Sequence, residues 1–204
     1  GFDAKRAFSN FTGLGNYSRD TIRVLHEHFP ENQYYLFSPK VIYNPRLEFI
    51  NHNLKVISPK GILDKVFPSF WRSKNIIKDL RKNKVDLYHG LSHELPIGIE
   101  KTKIKTVVTI HDLIFLRFPN LFTKIDRKIY EKKFRNACEN SDKIIAVSNQ
   151  TKKDIINFFD VEENKIEVIY QGCNKVFKSK KKSSEILEVK NKFNLFENYL
   201  LYVG

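Results

Sequence analysis

The sequence predicts an α/β fold, a Rossmann-like sheet of parallel strands that is doubly wound by helices. Three observations predict it. Strand-like runs alternate with helix-like runs over residues 1–170, which favours parallel strands joined by right-handed crossovers. Two glycines follow the first strand-like run, and polar residues follow several of the others. Because ligands of such sheets bind outside the carboxyl ends of the strands, these polar segments predict a binding edge.

The first predicted strand, Phe2 to Ala4, leads into a loop in which Gly13 and Gly15 supply backbone freedom. A helical pattern begins at Asn16. A junction of strand, glycine loop and helix start directs unpaired N–H groups and the positive end of the helix dipole to the edge of the sheet. The loop Gly13, Leu14, Gly15 and Asn16 is therefore a candidate contact for a phosphate or a sugar hydroxyl, and a tight turn without a ligand is the alternative.

The spacing of apolar residues predicts the elements that follow. Ile22, Leu25 and Phe29 lie at helical spacing, which predicts an amphipathic helix that ends at Pro30. Pro68 lies near the start of a helix that reaches about Lys82, and residues 60–67 show no regular pattern. Six further short runs are rich in apolar, aromatic or β-branched residues and predict strands. They are Tyr34 to Phe37, Lys55 to Ile57, Val85 to His89, Lys105 to Ile110, Lys143 to Val147 and Ile166 to Tyr170.

Two helices are predicted between the later strands. The first runs from Thr123 to Asn140, and its apolar residues predict a buried face formed by Ile125, Ile129, Phe134 and Ala137. The second runs from Thr151 to Phe159 and begins with a Thr-Lys-Lys-Asp sequence typical of a capping box.

The end of the chain has a different pattern. Residues 178–184 are polar and charged and indicate a linker, Glu185 to Phe193 is a short helical stretch, and Tyr199 to Val203 is a new apolar strand. We therefore expect a Rossmann-like domain over 1–177, a linker with a short helix over 178–198, and at 199–204 the first strand of a second domain.

The composition limits the class of protein. The 204 residues are 41% hydrophobic and 29% charged, which is enough for one globular core with an appendage. No run of about eighteen apolar residues and no signal peptide is present, so we expect a cytoplasmic protein. The absence of methionine indicates that the N-terminus is incomplete. The net charge of +13 favours an anionic partner, which could be nucleic acid, a phosphorylated substrate or the anionic inner face of a membrane.

Four polar residues at the predicted strand ends are candidates for chemistry. His111 follows a buried strand, so its ring is held rigidly and can exchange hydrogen bonds; the alternative is a structural histidine. Asp112 either contacts substrate or, as we slightly favour, orients the neighbouring loop. His93 lies in an irregular loop, where it is either a ligand contact or merely exposed. Ser148 either contacts a ligand or caps the next helix.

Several other chemistries find no support in the sequence. His26 and His28 have no acidic or cysteine partner at zinc-ligand spacing, and Cys138 and Cys173 are interpreted as ordinary reduced residues. There is no nucleophile elbow and no Gly-Lys-Ser/Thr phosphate loop. A dinucleotide fingerprint needs a glycine or alanine where Ser18 stands, so nicotinamide binding fits poorly.

Ordered motifs along the whole chain resemble the N-terminal half of family 4 glycosyltransferases. They are Phe11-Thr-Gly-Leu-Gly-Asn-Tyr-Ser-Arg19, Thr109-Ile-His-Asp-Leu113, Ile144-Ile-Ala-Val-Ser148, Thr151-Lys-Lys-Asp-Ile155, and Lys165-Ile-Glu-Val-Ile-Tyr-Gln-Gly172 followed by Phe177. Tyr199-Leu-Leu-Tyr-Val-Gly204 resembles the first strand of that family's C-terminal domain.

The resemblance implies the N-terminal half of a GT-B fold, in which the acceptor binds mainly to the first domain and the nucleotide-sugar donor mainly to the second. It implies transfer of a hexose-type sugar with retention to a glycan or lipid-linked acceptor, in polysaccharide assembly, without a metal or other cofactor. The Gly13 to Asn16 loop would approach the donor, His111 would lie beside the reacting sugar, and Ser148 would line the cleft. The family's Glu-x7-Glu segment is absent, so we expect the chain alone to be inactive.

Two other interpretations remain open. The net charge favours a nucleic-acid-binding module. The basic residues, however, do not alternate with aromatic side chains on which bases could stack, so we expect no nucleic-acid partner. The third interpretation is a Rossmann domain that binds a ligand without catalysis.

Overall fold

The computed structural model describes residues 1–42, 45–50, 54–173 and 177–202, and within these ranges it contains a single parallel sheet. Its strands are β1 (Phe2–Asp3), β2 (Tyr34–Phe37), β3 (Leu54–Ile57), β4 (Leu87–Gly90), β5 (Lys105–Ile110), β6 (Lys143–Ala146) and β7 (Ile166–Val168). The order across the sheet is β3-β2-β1-β4-β5-β6-β7, so the chain winds outward from β1 in both directions. The predicted doubly wound α/β fold is confirmed.

Helices lie between these strands in the sequence, and the last helix follows β7. They are α1 (Lys5–Ser9), α2 (Gly13–His28), α3 (Ile62–Val66), α4 (Pro68–Phe70), α5 (Ile76–Lys82), α6 (Ile114–Arg117), α7 (Lys124–Asn140), α8 (Asn149–Phe159) and α9 (Ser183–Lys192). A π-helical turn, Trp71–Asn75, joins α4 to α5.

Three predicted helix positions need correction. The glycines do not form a loop, because α2 already begins at Gly13, with Thr12 as its N-terminal cap residue. The segment without a predicted pattern contains α3, whose residues show no buried face that a periodicity could reveal. The cap of α8 is Ser148 and not Thr151, because the Ser148 side chain accepts the Thr151 amide.

Both faces of the sheet are buried, as a doubly wound fold requires. In β2, Leu36 packs with Phe2 and Ile22 in one apolar cluster, whereas the adjacent Phe37 packs with Trp71 and Tyr88 in another. Successive strand residues point to opposite faces, so the near-continuous apolar runs follow from burial on both sides.

The expected buried face of α7 is only half right. Ala137 is buried and Phe134 packs partly against the core, but Ile125 and Ile129 are exposed. At about 100° per residue, Phe134 lies about 140° around the axis from Ile129 and about 180° from Ile125, so the four residues cannot share one face.

The chain forms two compact units, Gly1–Gln171 and Gly172–Gly204. The second contains α9, and its residues 199–202 form no strand, because no strand of the described residues pairs with them. Residues 203 and 204 of the predicted last strand lie outside the described residues. That 199–204 open a second domain therefore stays a prediction.

Candidate functional site

The start of α2 and the end of β5 meet at the carboxyl edge of the sheet. The ring of Tyr17 approaches the His111 ring edge-on, with the centroids 4.6 Å apart and the planes at 88°. The Tyr17 hydroxyl also exchanges a 3.0 Å hydrogen bond with Thr109 Oγ1 of β5. The structure thus brings the glycine segment and His111 to the same edge.

His111 is held by hydrogen bonds on both ring nitrogens. Its Nε2 lies 3.0 Å from the Leu91 carbonyl oxygen, which only accepts, so Nε2 carries the proton. Nδ1 is then the acceptor for the Gln171 side-chain amide at 3.2 Å. Burial lowers the pKa of His111, which favours this neutral ring. A substrate hydroxyl can therefore reach Nδ1 only by replacing the amide of Gln171.

His93 packs directly beside His111, and it is half-buried and not merely exposed. Its backbone has a left-handed φ of 64°, its N–H donates to the Thr109 carbonyl at 3.0 Å, and its ring stacks on Phe134 with centroids 4.4 Å apart. His93 Nδ1 accepts the backbone N–H of His111 at 3.3 Å.

The remaining nitrogen of His93 is a donor. Because Nδ1 accepts a hydrogen bond and burial holds the pKa of His93 well below its ordinary value, the neutral ring carries its proton on Nε2. Among the described residues this N–H has no hydrogen-bond partner. It is the imidazole nitrogen of the site that can donate to a ligand without displacing a protein group.

The start of α2 offers fewer free amides than its position suggests. The Asn10 side-chain oxygen accepts the N–H groups of Thr12 at 2.9 Å and Gly15 at 3.0 Å. Within the described ranges, this leaves the amides of Gly13 and Leu14 without a partner. Asn16 turns its side-chain oxygen to Arg19, whose guanidinium donates to it at 2.7 Å. The candidate anion contacts of this segment are thus two backbone amides at a helix N-terminus.

Ser148 is the N-terminal cap residue of α8, and Asp112 makes a local turn contact before α6. Ser148 Oγ accepts the Thr151 N–H at 3.1 Å and lies 3.0 Å from Thr151 Oγ1, which itself donates to the His111 carbonyl at 3.0 Å. Asp112 Oδ1 accepts the N–H of Ile114 at 3.3 Å. Both side chains therefore make the local contacts of the structural alternative, and a ligand contact by either residue stays a prediction.

A buried ion-pair network at the same edge was not predicted. Arg72 Nε lies 3.1 Å from Asp3 Oδ1, at the end of β1, and Arg72 Nη1 lies 2.7 Å from Glu94 Oε2, after β4. Lys133 also reaches Glu94, at 3.3 Å. The two carboxylates raise the pKa of Arg72 against its desolvation, so the guanidinium stays charged. The partners are 69 and 22 residues apart in sequence, and no local signal identifies such a pairing.

The described residues contain no group of three His, Cys, Asp or Glu side chains placed to bind a metal ion. They also contain no helix whose length and apolar character suit it to crossing a bilayer.

Comparisons with known proteins give a consistent result. The sequence profile of Glycosyltransferase Family 4 matches residues 11–175. The O-antigen chain mannosyltransferase B of Escherichia coli is 27% identical over 126 residues, which are 61% of this chain and 32% of that protein.

Solved structures share the fold. A glycosyltransferase from Rickettsia africae matches with a TM-score of 0.54 at 19% identity, over 88% of this chain and 46% of that one. Anabaena HepE in complex with UDP and glucose matches with a TM-score of 0.59 at 15% identity, over 89% and 47%. The chain thus spans about a third of the curated relative and just under half of these two solved chains.

Proposed function

This chain belongs to Glycosyltransferase Family 4, and from that membership we propose that it is the acceptor-side half of a GT-B glycosyltransferase. The proposed enzyme transfers a hexose-type sugar from a nucleotide-sugar donor to a glycan or lipid-linked acceptor, with retention and without a metal, in polysaccharide assembly. The names of the compared proteins support this choice: one is an O-antigen mannosyltransferase, and another holds UDP and glucose.

The observation that carries the proposal is the cluster at the carboxyl edge within the matched residues. It combines the amides of Gly13 and Leu14 and the Nε2–H of His93, which have no hydrogen-bond partner among the described residues, with the fixed neutral ring of His111. Amides at a helix start suit a phosphate or sugar oxygen, and the imidazoles suit sugar hydroxyls. These groups bind and orient, and none of them is placed as a charged acid or base at neutral pH.

The role proposed for His111 is positioning of the reacting sugar. Its Nδ1 becomes available when a sugar hydroxyl takes the place of the Gln171 amide, and Leu91 then still fixes the ring. His93 Nε2 would donate to a second oxygen of the same ligand. Correct orientation of the reacting atoms is a large part of the rate enhancement in such reactions.

The proposal is tested on the whole protein with UDP-glucose and a nucleotide-activated mannose as donors and a lipid-linked saccharide as acceptor. We expect sugar transfer with the anomeric configuration of the donor retained, measured by NMR of the product, and no loss of rate in a chelator. A product with inverted anomeric configuration would contradict retention, and loss of activity in the chelator would contradict metal-independent transfer. Because the chain spans only part of its relatives, we propose that the 204 residues alone do not turn over substrate. Sugar transfer by the purified 204-residue chain would contradict this proposal.

A further inference from the structure

The outer face of α7 carries apolar side chains that the core does not cover. Leu121, just before the helix, is 76% exposed, Ile125 is 72% exposed and Ile129 is 46% exposed. The two isoleucines are four residues apart in α7 and therefore lie in one stripe along its surface, whereas Leu121 belongs to the short 3-10 turn Pro119–Leu121 before the helix. We call this stripe with its flanking lysines, Lys124, Lys128 and Lys132, the α7 outer face.

The charged side chains of this face are all lysines, and none of them has an ion-pair partner in the part of the chain that the structure describes. The three lysines are exposed and also recur every four residues, so they run alongside the apolar stripe. Within the described ranges they form no ion pair, whereas the acidic neighbour Glu131 pairs with Arg135 and Asp126 bonds Thr123. An exposed apolar stripe beside a lysine stripe is the pattern of a helix that lies in a membrane interface.

We propose that the α7 outer face is the surface by which this protein lies on an anionic phospholipid bilayer. The isoleucines would enter the boundary between headgroups and acyl chains, and the lysines would extend to the acidic headgroups. The inference rests on the proposed function in one respect: a lipid-linked acceptor would arrive at this membrane. Phe134, on the opposite side of α7, stacks on His93, so α7 would lie between the bilayer and the candidate site.

Other occupants fit this face less well. A second copy of the chain would oppose lysines with lysines, and three apolar side chains bury far less than the ~800 Å² per partner of a stable interface. Nucleic acid would use the lysines, but isoleucine and leucine offer no π-face for bases to stack on.

The test is sedimentation of the chain with phosphatidylcholine vesicles, with and without phosphatidylglycerol. The apolar variant Ile125→Ser/Ile129→Ser and the charge variant Lys124→Glu/Lys128→Glu/Lys132→Glu address the two halves of the face. A lysine near an anionic surface contributes roughly fivefold in binding, so the charge variant should bind at least about 100-fold more weakly. The apolar variant should lose about tenfold or more.

Matched controls carry equal changes elsewhere. Lys82→Glu/Lys101→Glu/Lys103→Glu removes the same charge from exposed lysines at the amino edge of the sheet, and Val24→Ser/Phe29→Ser removes exposed apolar groups from the end of α2. Both should bind nearly as the parent does. Equal loss in the controls, no loss in either α7 variant, or equal binding of the parent to both vesicle types would overturn the proposal.

A tryptophan variant tests directly whether the α7 outer face enters the bilayer. Ile125→Trp places an exposed indole on the α7 outer face, whereas the native Trp71 is buried and should not respond. Anionic vesicles should shift the emission of Ile125→Trp to shorter wavelength and leave that of Val24→Trp unchanged; the reverse would refute insertion at α7. These measurements need no sugar transfer, so a failed transferase assay and a failed membrane assay remain separate outcomes.

Discussion

Tyr17 and His111 are in edge-to-face contact, with ring centroids 4.6 Å apart, although 94 positions separate them in the chain. Tyr17 belongs to the first turns of α2, and His111 follows β5. The contact therefore fixes the amides at the start of α2 relative to the imidazole, and both become parts of one site.

Replacing His111 by alanine in the whole protein should lower turnover by about 100-fold or more, because the sugar loses a positioning group. The variant should still fold, with the stability loss of about 1–3 kcal/mol expected when the Leu91 carbonyl loses its partner. Initial rates and thermal melting measure the two effects. His28→Ala, an exposed histidine at the end of α2, is the control; unaffected rates for His111→Ala would leave this ring a structural role only.

Gly15→Ala should destabilise the chain by about 1–3 kcal/mol, because its Cβ would lie 1.8 Å from the Asn10 carbonyl oxygen. Gly13→Ala is the matched control, since nothing lies within 4 Å of a Cβ there and alanine favours a helix. Urea unfolding of both variants measures the difference. Equal stability of the two would show that the close approach at Gly15 does not exist.

Arg72→Met should cost about 3–5 kcal/mol, because it leaves the Asp3 carboxylate buried without its cation. Lys105→Met breaks an exposed ion pair with Asp142 and should cost at most about 1 kcal/mol. Chemical unfolding of both variants tests the contrast, and a small loss in Arg72→Met would mean that water reaches Asp3.

The free energy of unfolding should fall as the pH is lowered from 7 to 5. Carboxylates stay ionised over this range, so the change reports on histidines. Burial lowers the pKa of His89 to about 3 and also lowers those of His93 and His111. The unfolded chain takes up these protons below about pH 6.5 while the folded chain does not, so stability is complete above that pH and is lost below it. Each histidine contributes up to about 1.4 kcal/mol per pH unit.

Melting temperatures across this range measure the slope, and His89→Gln should make it shallower. A constant melting temperature between pH 7 and pH 5 would contradict neutral burial of the three rings.

The sequence predicted those parts of the fold that depend on local pattern. The strand Lys105–Ile110 was predicted with its observed bounds, because a run of β-branched residues between polar ones fits few structures other than a short strand. The edge position of His111 followed from that strand. The start of α2 was misplaced because glycine usually signals a loop, whereas here Gly15 admits the Asn10 carbonyl.

Long-range contacts could not be predicted in this way. The pairing of Arg72 with Asp3 and Glu94 depends on which strands become neighbours, and the free nitrogen of His93 depends on a left-handed backbone and a hydrogen bond from His111. The exposure of Ile125 depends on which side of α7 faces the sheet. Each of these features is a property of the assembled sheet and not of a segment.

The two thiols differ sharply in environment. Cys138 is buried in α7, where desolvation raises its pKa to about 12, whereas Cys173 is exposed, two residues after Gln171. A maleimide dye should therefore modify Cys173 and leave Cys138 unreacted, so the 204-residue chain carries one attachment point for a fluorophore. Such a dye would be attached two residues after Gln171 in the sequence, without any engineered cysteine.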